Sequence, residues 1–202
     1  MLHIALAKGR IAKTVMKRLA EGGFHFSDYS DESRKLIFTD DEERIRVTLV
    51  KSPDVAVYVR RGAADAGIVG KDVLMGEEDV YEVLDLGIGR CRMAVSGIKG
   101  NQKVMQKRIL TVASKYPSIA RKYFADRFQP IDIIKLNGSV ELAPLVGLSD
   151  VIVDIVETGT TLRENGLEAY DYFMDFSARL ICNKVSYKMK QKEIAEFMAL
   201  VK

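Results

Sequence analysis

Asp150 to Leu162, reading DVIVDIVETGTTL, limits the fold more than any other stretch of the chain. Val151, Ile152, Val153, Ile155 and Val156 form an apolar, β-branched run interrupted only by Asp154, the pattern of a strand covered on both faces in a parallel sheet. The run stops at Glu157-Thr158-Gly159-Thr160-Thr161, and Leu162 to Asn165 then reads as helix closed by Gly166. A strand, a tight loop and a helix N-terminus in that order direct free backbone N–H groups and the positive end of a helix dipole at one point, with the threonine hydroxyls as further donors. A phosphate fits there. Thr and Gly at a β-to-α turn are also ordinary cap and turn chemistry. Three threonines within four positions, preceded by the acids Asp154 and Glu157, exceed what a cap requires. The acids suggest a polyol beside the phosphate, because carboxylates accept hydrogen bonds from ribose hydroxyls.

Composition narrows the chemistry. A chain of 202 residues, 48% hydrophobic and 29% charged, suits one large domain or two small lobes. No apolar run approaches the ~20 residues of a membrane span, and MLHIALAKGR begins as a strand rather than a signal peptide, so a cytoplasmic protein without a membrane partner is expected. Cys91 and Cys182 have no metal-ligand spacing and read as buried free thiols. With His3 and His25 as the only histidines, there is no basis for a histidine metal site or a Ser-His-Asp system. Chemistry must run on carboxylates, cations, backbone dipoles and a metal carried by the substrate. A net charge of +3, with no basic run interleaved with aromatics, argues against nucleic acid and supports only modest steering of anions.

Strands alternate with helices along the chain. His3 to Ala7 reads as a strand, followed by Lys8-Gly9-Arg10 and a helix with Ile11, Val15 and Leu19 at helical spacing. Two cations around a glycine at a strand-to-helix turn suit a polyphosphate, and they also suit plain solvation. Lys35 to Thr39 and Arg44 to Val50 read as a hairpin whose acidic turn, Asp40 to Glu43, is expected to be solvated. Pro53 opens a helix with Val55, Tyr58 and Val59 on its apolar side. Ala63 to Leu74 repeats the strand, glycine loop and helix arrangement, with Gly67 and Gly70 serving turns or a close ligand approach. Arg90 to Ser96, Arg108 to Ala113, Ile131 to Leu136 and Arg179 to Lys184 read as strands. Pro117 opens a helix with Ile119, Tyr123, Phe124 and Phe128 as a core stripe, and Ser139 is a candidate N-cap with Glu141 in the first turn. Ile194, Phe197, Met198 and Val201 face the last helix toward a core. The expected fold is α/β with mainly parallel sheets and ligands beyond the carboxyl ends of the strands, where the Lys8, Gly70, Glu141 and Thr158 loops lie.

Four blocks, ALAKGRI, GAADAGIVGKDVL, LNGSVELAPLVGLSDVIVDIVETGTTLRENGL and ARLICNKVSYKMK, together closely resemble the short form of the ATP phosphoribosyltransferase family over essentially the whole chain. Ala7 stands where the family usually has Pro, and Gly76 where an acid is common. The resemblance implies two lobes like those of type II periplasmic binding proteins, with the active site in the interlobe cleft. The expected boundaries are 1–89 plus 180–202 for the first lobe and 90–179 for the second. It also implies a reaction: ATP and phosphoribosyl pyrophosphate give N1-(5-phospho-β-D-ribosyl)-ATP and pyrophosphate, with Mg²⁺, as the first step of histidine biosynthesis. Lys8, Arg10, Glu141 and Asp154 are then the expected catalytic residues. Asp154, Glu157, Thr158, Gly159, Thr160, Thr161 and Leu162 are expected to bind phosphoribosyl pyrophosphate. Lys8, Gly9, Arg10, Asp65, Gly70 and Lys71 are expected to bind ATP, and Mg²⁺ to be held mainly through substrate phosphates. The implied partner is a regulatory subunit resembling histidyl-tRNA synthetase, in a hetero-octamer, because the chain ends at Lys202 with its last helix committed to a sheet.

Overall fold

The computed structural model describes residues 1–30, 32–75 and 79–202, so Gly76 lies outside the described residues. These divide into one unit of Met1–Arg90 with Phe176–Lys202 and a second of Cys91–Asp175.

In chain order the first unit contributes β1 (Leu2–Ala7), α1 (Arg10–Glu21), β2 (Ile37–Thr39), β3 (Ile45–Val50), α2 (Val55–Arg60), β4 (Ala66–Gly70) and β5 (Tyr81–Asp85). The second unit contributes β6 (Cys91–Ile98), β7 (Leu110–Ser114), α3 (Pro117–Ala125), β8 (Ile131–Lys135), α4 (Leu142–Leu145), β9 (Val151–Val156), α5 (Thr160–Glu164) and β10 (Leu167–Phe176). The chain then returns to the first unit as β11 (Ala178–Cys182), α6 (Lys184–Met189) and α7 (Gln191–Val201). The return falls at Phe176 rather than at 180, because β11 pairs along its whole length with β4, from Ala178 opposite Gly70 to Cys182 opposite Ala66.

The first sheet has the order β2-β3-β1-β4-β11-β5. Its centre is parallel, β1 lying between β3 and β4, while β2, β11 and β5 run antiparallel to their neighbours. Alternation along β1 divides its side chains between two layers. Leu2, Ile4 and Leu6 pack under Val15 and Leu19 of α1 and Ile194, Phe197 and Val201 of α7, as the spacing of both helices predicts. Ala5 and Ala7 pack on the other face with Val55 and Val59 of α2. Each such aliphatic side chain contributes roughly 1.5–3 kcal/mol by leaving water. Gly67 serves this packing rather than a turn or a ligand, since a Cβ there would lie 2.7 Å from Val55 and 2.8 Å from Val59.

The second sheet has the order β10-β6-β9-β7-β8, with β7, β8 and β9 mutually parallel and β6 antiparallel to β9. The predicted all-covered strand is therefore the middle one.

Four local expectations are corrected. Phe128 is 95% exposed in a left-handed turn beyond the end of α3, so the core stripe stops at Phe124. Tyr58 is exposed on α2. Asp40 is buried rather than solvated: it takes the Arg44 guanidinium at 2.9 and 3.1 Å and the His25 amide at 3.0 Å. The Arg44 hydrogen bonds hold its carboxyl below the ordinary range, outweighing burial. Ser139 does not cap α4, whose N-cap is Glu141; it adopts a left-handed conformation and its carbonyl accepts from Leu142 N at 3.2 Å. Among the described residues, no helix is long and apolar enough to cross a membrane.

Candidate active site

Parallel pairing of β1 with β3 and β4 brings Ala7, Val50 and Gly70 to the same edge of the first sheet. Lys8 N donates to Val50 O at 2.9 Å, and Gly9, at φ 100° and ψ −143°, turns the chain into α1 at Arg10. That φ favours glycine, so the Lys-Gly-Arg order has a backbone reason. Lys8, Gly9 and Arg10 are all exposed. Beside them lies a cavity of about 450 Å³ lined by Lys8, Lys13, Arg34 and Lys35, with Tyr29, Ser30 and Ser33 contributing polar atoms. Four cations around a cavity of this volume suit an anionic small molecule. Lys8 was legible in the sequence as a candidate; Lys13, Arg34 and Lys35 were not, because only the fold brings residues 34 and 35 to the start of α1. Lys35 is also paired with Asp28.

Gly70 ends β4 at this same edge, with Lys71 after it. Lys71 Nζ is 2.5 Å from Glu82 Oε2, and its amide donates to Ser177 O at 3.0 Å. Asp65 is a correction. It precedes β4 and so sits at the opposite end of that strand from Gly70, where no parallel α/β sheet places its ligands. Its carboxylate accepts from Lys190 Nζ at 2.7 Å, Ser186 Oγ at 2.7 Å and the His3 amide at 2.9 Å. Burial alone would raise the Asp65 pKa, but those three hydrogen bonds outweigh it and hold the carboxyl below its ordinary range. Asp65 joins the first strand to the last two helices, and these structural partners, rather than a ligand, account for its placement.

In the second unit, β7, β8 and β9 all end at one edge. Glu157, Thr158 and Gly159 follow β9 directly, and Gly159 is left-handed at φ 71° and ψ 6°. Leu162 is buried in the cluster with Ala94, Ile152 and Val156, which anchors α5 to the sheet. Asp154 shares a strand face with Ile152 and Val156. Glu141 lies between Val140 and Ala143 of that same cluster, so Asp154, Glu141 and the loop belong to one side of this sheet. The three threonine hydroxyls, read from the sequence simply as further donors, are not equivalent. Thr158 Oγ1 donates to Thr160 Oγ1 at 3.1 Å and accepts from the Thr160 amide at 3.4 Å. Arg163, read from the sequence only as helix, reaches back to Thr158 O and Thr160 Oγ1 at 3.0 Å each. Thr161 is exposed, and among the described residues its hydroxyl meets no protein partner.

These features, a glycine turn beside clustered cations and a phosphate-type loop below two carboxylates, agree with the comparisons. The family model described as HisG: ATP phosphoribosyltransferase matches residues 51–202. The chain belongs to this family. It is 53% identical to an ATP phosphoribosyltransferase of Clostridioides difficile (strain 630), over 98% of this chain and 96% of that protein. Among solved structures it is similar to the ATP phosphoribosyl transferase (HisG:HisZ) complex from Thermotoga maritima, at 34% identity and a TM-score of 0.81, covering 100% of this chain and 96% of that one. The periplasmic aliphatic sulphonate binding protein SsuA of Escherichia coli shares the fold alone, at 12% identity and a TM-score of 0.69, over 99% of this chain and 70% of that one. The two α/β units thus have the periplasmic-binding-protein fold, and the family's activity is the first step of histidine biosynthesis.

Proposed function

We propose that the chain transfers the phosphoribosyl group of phosphoribosyl pyrophosphate to N1 of ATP. The bond from N1 to the anomeric carbon forms, the bond from that carbon to pyrophosphate breaks, and its electron pair leaves with the pyrophosphate. The observation that carries this reading is the Glu157 to Thr161 loop after β9, with left-handed Gly159, on the same side of the sheet as Asp154 and Glu141. In this reading the loop amides and the Thr160 and Thr161 hydroxyls hold the 5′-phosphate, while Asp154 and Glu141 accept from ribose hydroxyls. Lys8, Lys13 and Arg34 around the cavity, together with Arg10, hold polyphosphate. Adenine N1 supplies its own lone pair, so no side-chain nucleophile is required. The protein contributes positioning and charge stabilisation.

The residues suit Mg²⁺ in a substrate-borne role. Among the described residues there is no group of three or more His, Cys, Asp or Glu side chains placed to hold a metal, while Asp154 and Glu141 offer one or two carboxylates. Mg²⁺ is characteristically held by one or two carboxylates plus substrate phosphates. Bound there, it supplies neutralisation of the pyrophosphate charge. The solved Thermotoga maritima protein is a HisG:HisZ complex, which supports a second, HisZ-like subunit for this chain also; in the same reading that subunit is regulatory and resembles histidyl-tRNA synthetase, and the assembly is a cytoplasmic hetero-octamer. The test is to mix the protein with ATP, phosphoribosyl pyrophosphate and Mg²⁺ and follow the ultraviolet absorbance of N1-substituted adenine. Growth of that signal, dependent on all three, is expected; its absence with and without the regulatory subunit overturns the reading.

A further inference from the structure

We propose that Arg163 is a positioning residue that presets the phosphate loop before substrate arrives, an inference that rests on the loop's assignment to the 5′-phosphate. Its guanidinium donates through Nη1 to Thr158 O at 3.0 Å and through Nη2 to Thr160 Oγ1 at 3.0 Å. Each bond has a consequence for the loop.

In a trans peptide plane the carbonyl and the following N–H point in opposite directions. The peptide bonds of this chain are all trans among the described residues. Holding Thr158 O against the guanidinium therefore directs the Gly159 N–H away from it, out of the loop. Among the described residues, no protein acceptor meets the amide of Gly159 or of Thr161. Gly159 lies against the same group, since a Cβ on it would stand 3.2 Å from Arg163 Nη1 and crowd the guanidinium.

The second bond acts on a hydroxyl. A threonine oxygen has two lone pairs and one proton. Thr160 Oγ1 accepts from Thr158 Oγ1 at 3.1 Å and from Arg163 Nη2, which occupies both lone pairs. What remains is its O–H, a donor only. A phosphate oxygen accepts and does not donate, so the hydroxyl is left in the state a phosphate needs. Arg163 thus converts a turn with mixed donors and acceptors into one that presents donors. The fork requires two N–H groups at a fixed spacing, which a lysine ammonium on a flexible stem does not reproduce.

The experiment compares Arg163→Ala and Arg163→Lys with wild type, using KM for each substrate, calorimetric binding of phosphoribosyl pyrophosphate, and melting temperature. Both variants are expected to weaken phosphoribosyl pyrophosphate binding and raise its KM about tenfold, the equivalent of losing one charge-assisted hydrogen bond. KM for ATP should stay within about twofold if the effect is confined to the loop. Arg163→Lys binding like wild type overturns the proposal, because charge alone then suffices; it also serves if Arg163→Ala fails to fold. Thr161→Ala separates the two levels. Wild-type affinity in Arg163→Ala with loss in Thr161→Ala overturns the role of Arg163 and leaves the loop assignment standing. Wild-type affinity in both overturns the loop assignment as well.

Discussion

Asp65 and Lys190 are 125 residues apart in sequence and 2.7 Å apart in space. The pair closes the first unit around its returning segment, since Lys190 stands between α6 and α7 while Asp65 precedes β4. Asp65→Asn is expected to lower stability by about 2 kcal/mol, because a half-buried carboxylate with three donors becomes an amide that repels some of them. For a chain of this size the melting temperature falls by roughly 4 to 8 °C. KM for ATP should not change, and a large rise would restore Asp65 to the binding site.

The same carboxylate sets a pH dependence. Its folded pKa lies below the ordinary 3.8, so the folded state favours the ionised form. The resulting stabilisation is complete above the unfolded value and disappears as pH falls through the folded one. The difference in unfolding free energy between wild type and Asp65→Asn, measured by urea titration, should be flat from pH 7 to about 5 and shrink below 4. A difference that grows on acidification contradicts the assignment.

Arg44 and Asp40 carry a related prediction in the β2 to β3 turn. The Asp40 side chain is buried while Arg44 remains partly exposed, so removing the carboxylate leaves Arg44 a route to water. Asp40→Ala should therefore cost about 2 kcal/mol, below the 3–5 kcal/mol typical of breaking a fully buried pair. Chemical denaturation measures it directly.

For the phosphate loop, Thr161→Ala and Gly159→Val should weaken phosphoribosyl pyrophosphate binding while leaving ATP binding near wild type. Thr161→Ala removes one donor to a charged group, roughly 1.5–3 kcal/mol. Gly159→Val forces a β-branched residue into φ 71° and toward Arg163. Calorimetry with each substrate separately decides; equal losses for both would indicate unfolding of the loop's surroundings.

How far these sites were legible depends on how locally they are encoded. β9 and its loop lie in one continuous stretch whose apolar run and turn residues announce them. The edge strands do not. LEAYDYFMDF in β10 and YEVLD in β5 mix acids with apolar residues because the outer strand of a sheet is partly open to water, and neither reads as a strand by pattern alone. The cation cavity was half legible for a different reason: Lys8 carries a local signal, but Arg34 and Lys35 acquire meaning only when the chain after α1 folds back beside Gly9. Asp65 misled because an acid before a glycine-bearing strand looks the same at either end of a sheet.

That cavity yields a salt-dependent prediction. If Lys8 and Arg34 neutralise polyphosphate, Lys8→Ala and Arg34→Ala should each weaken pyrophosphate binding by about tenfold at low salt and by less at high salt, where screening shortens to a few ångströms. Product-inhibition constants at two ionic strengths measure this. Equal loss at both would point to geometry rather than charge.

The last prediction concerns control by histidine. The apolar face of α7 is occupied: Ile194, Phe197 and Val201 are buried against Leu19 and the first sheet, so that face is not available to sense an effector or receive a partner. The scheme proposed above puts sensing in a second chain, like the partner in the Thermotoga maritima HisG:HisZ complex to which this chain is similar, with a coupling free energy transmitted to this one. The chain assayed by itself should therefore show low activity that histidine does not change. Adding the regulatory subunit should raise activity and make it histidine-sensitive together, because one assembly event supplies both. Full activity with complete histidine inhibition, in a preparation shown by mass spectrometry to contain no second chain, would place the sensor within these residues and refute the scheme.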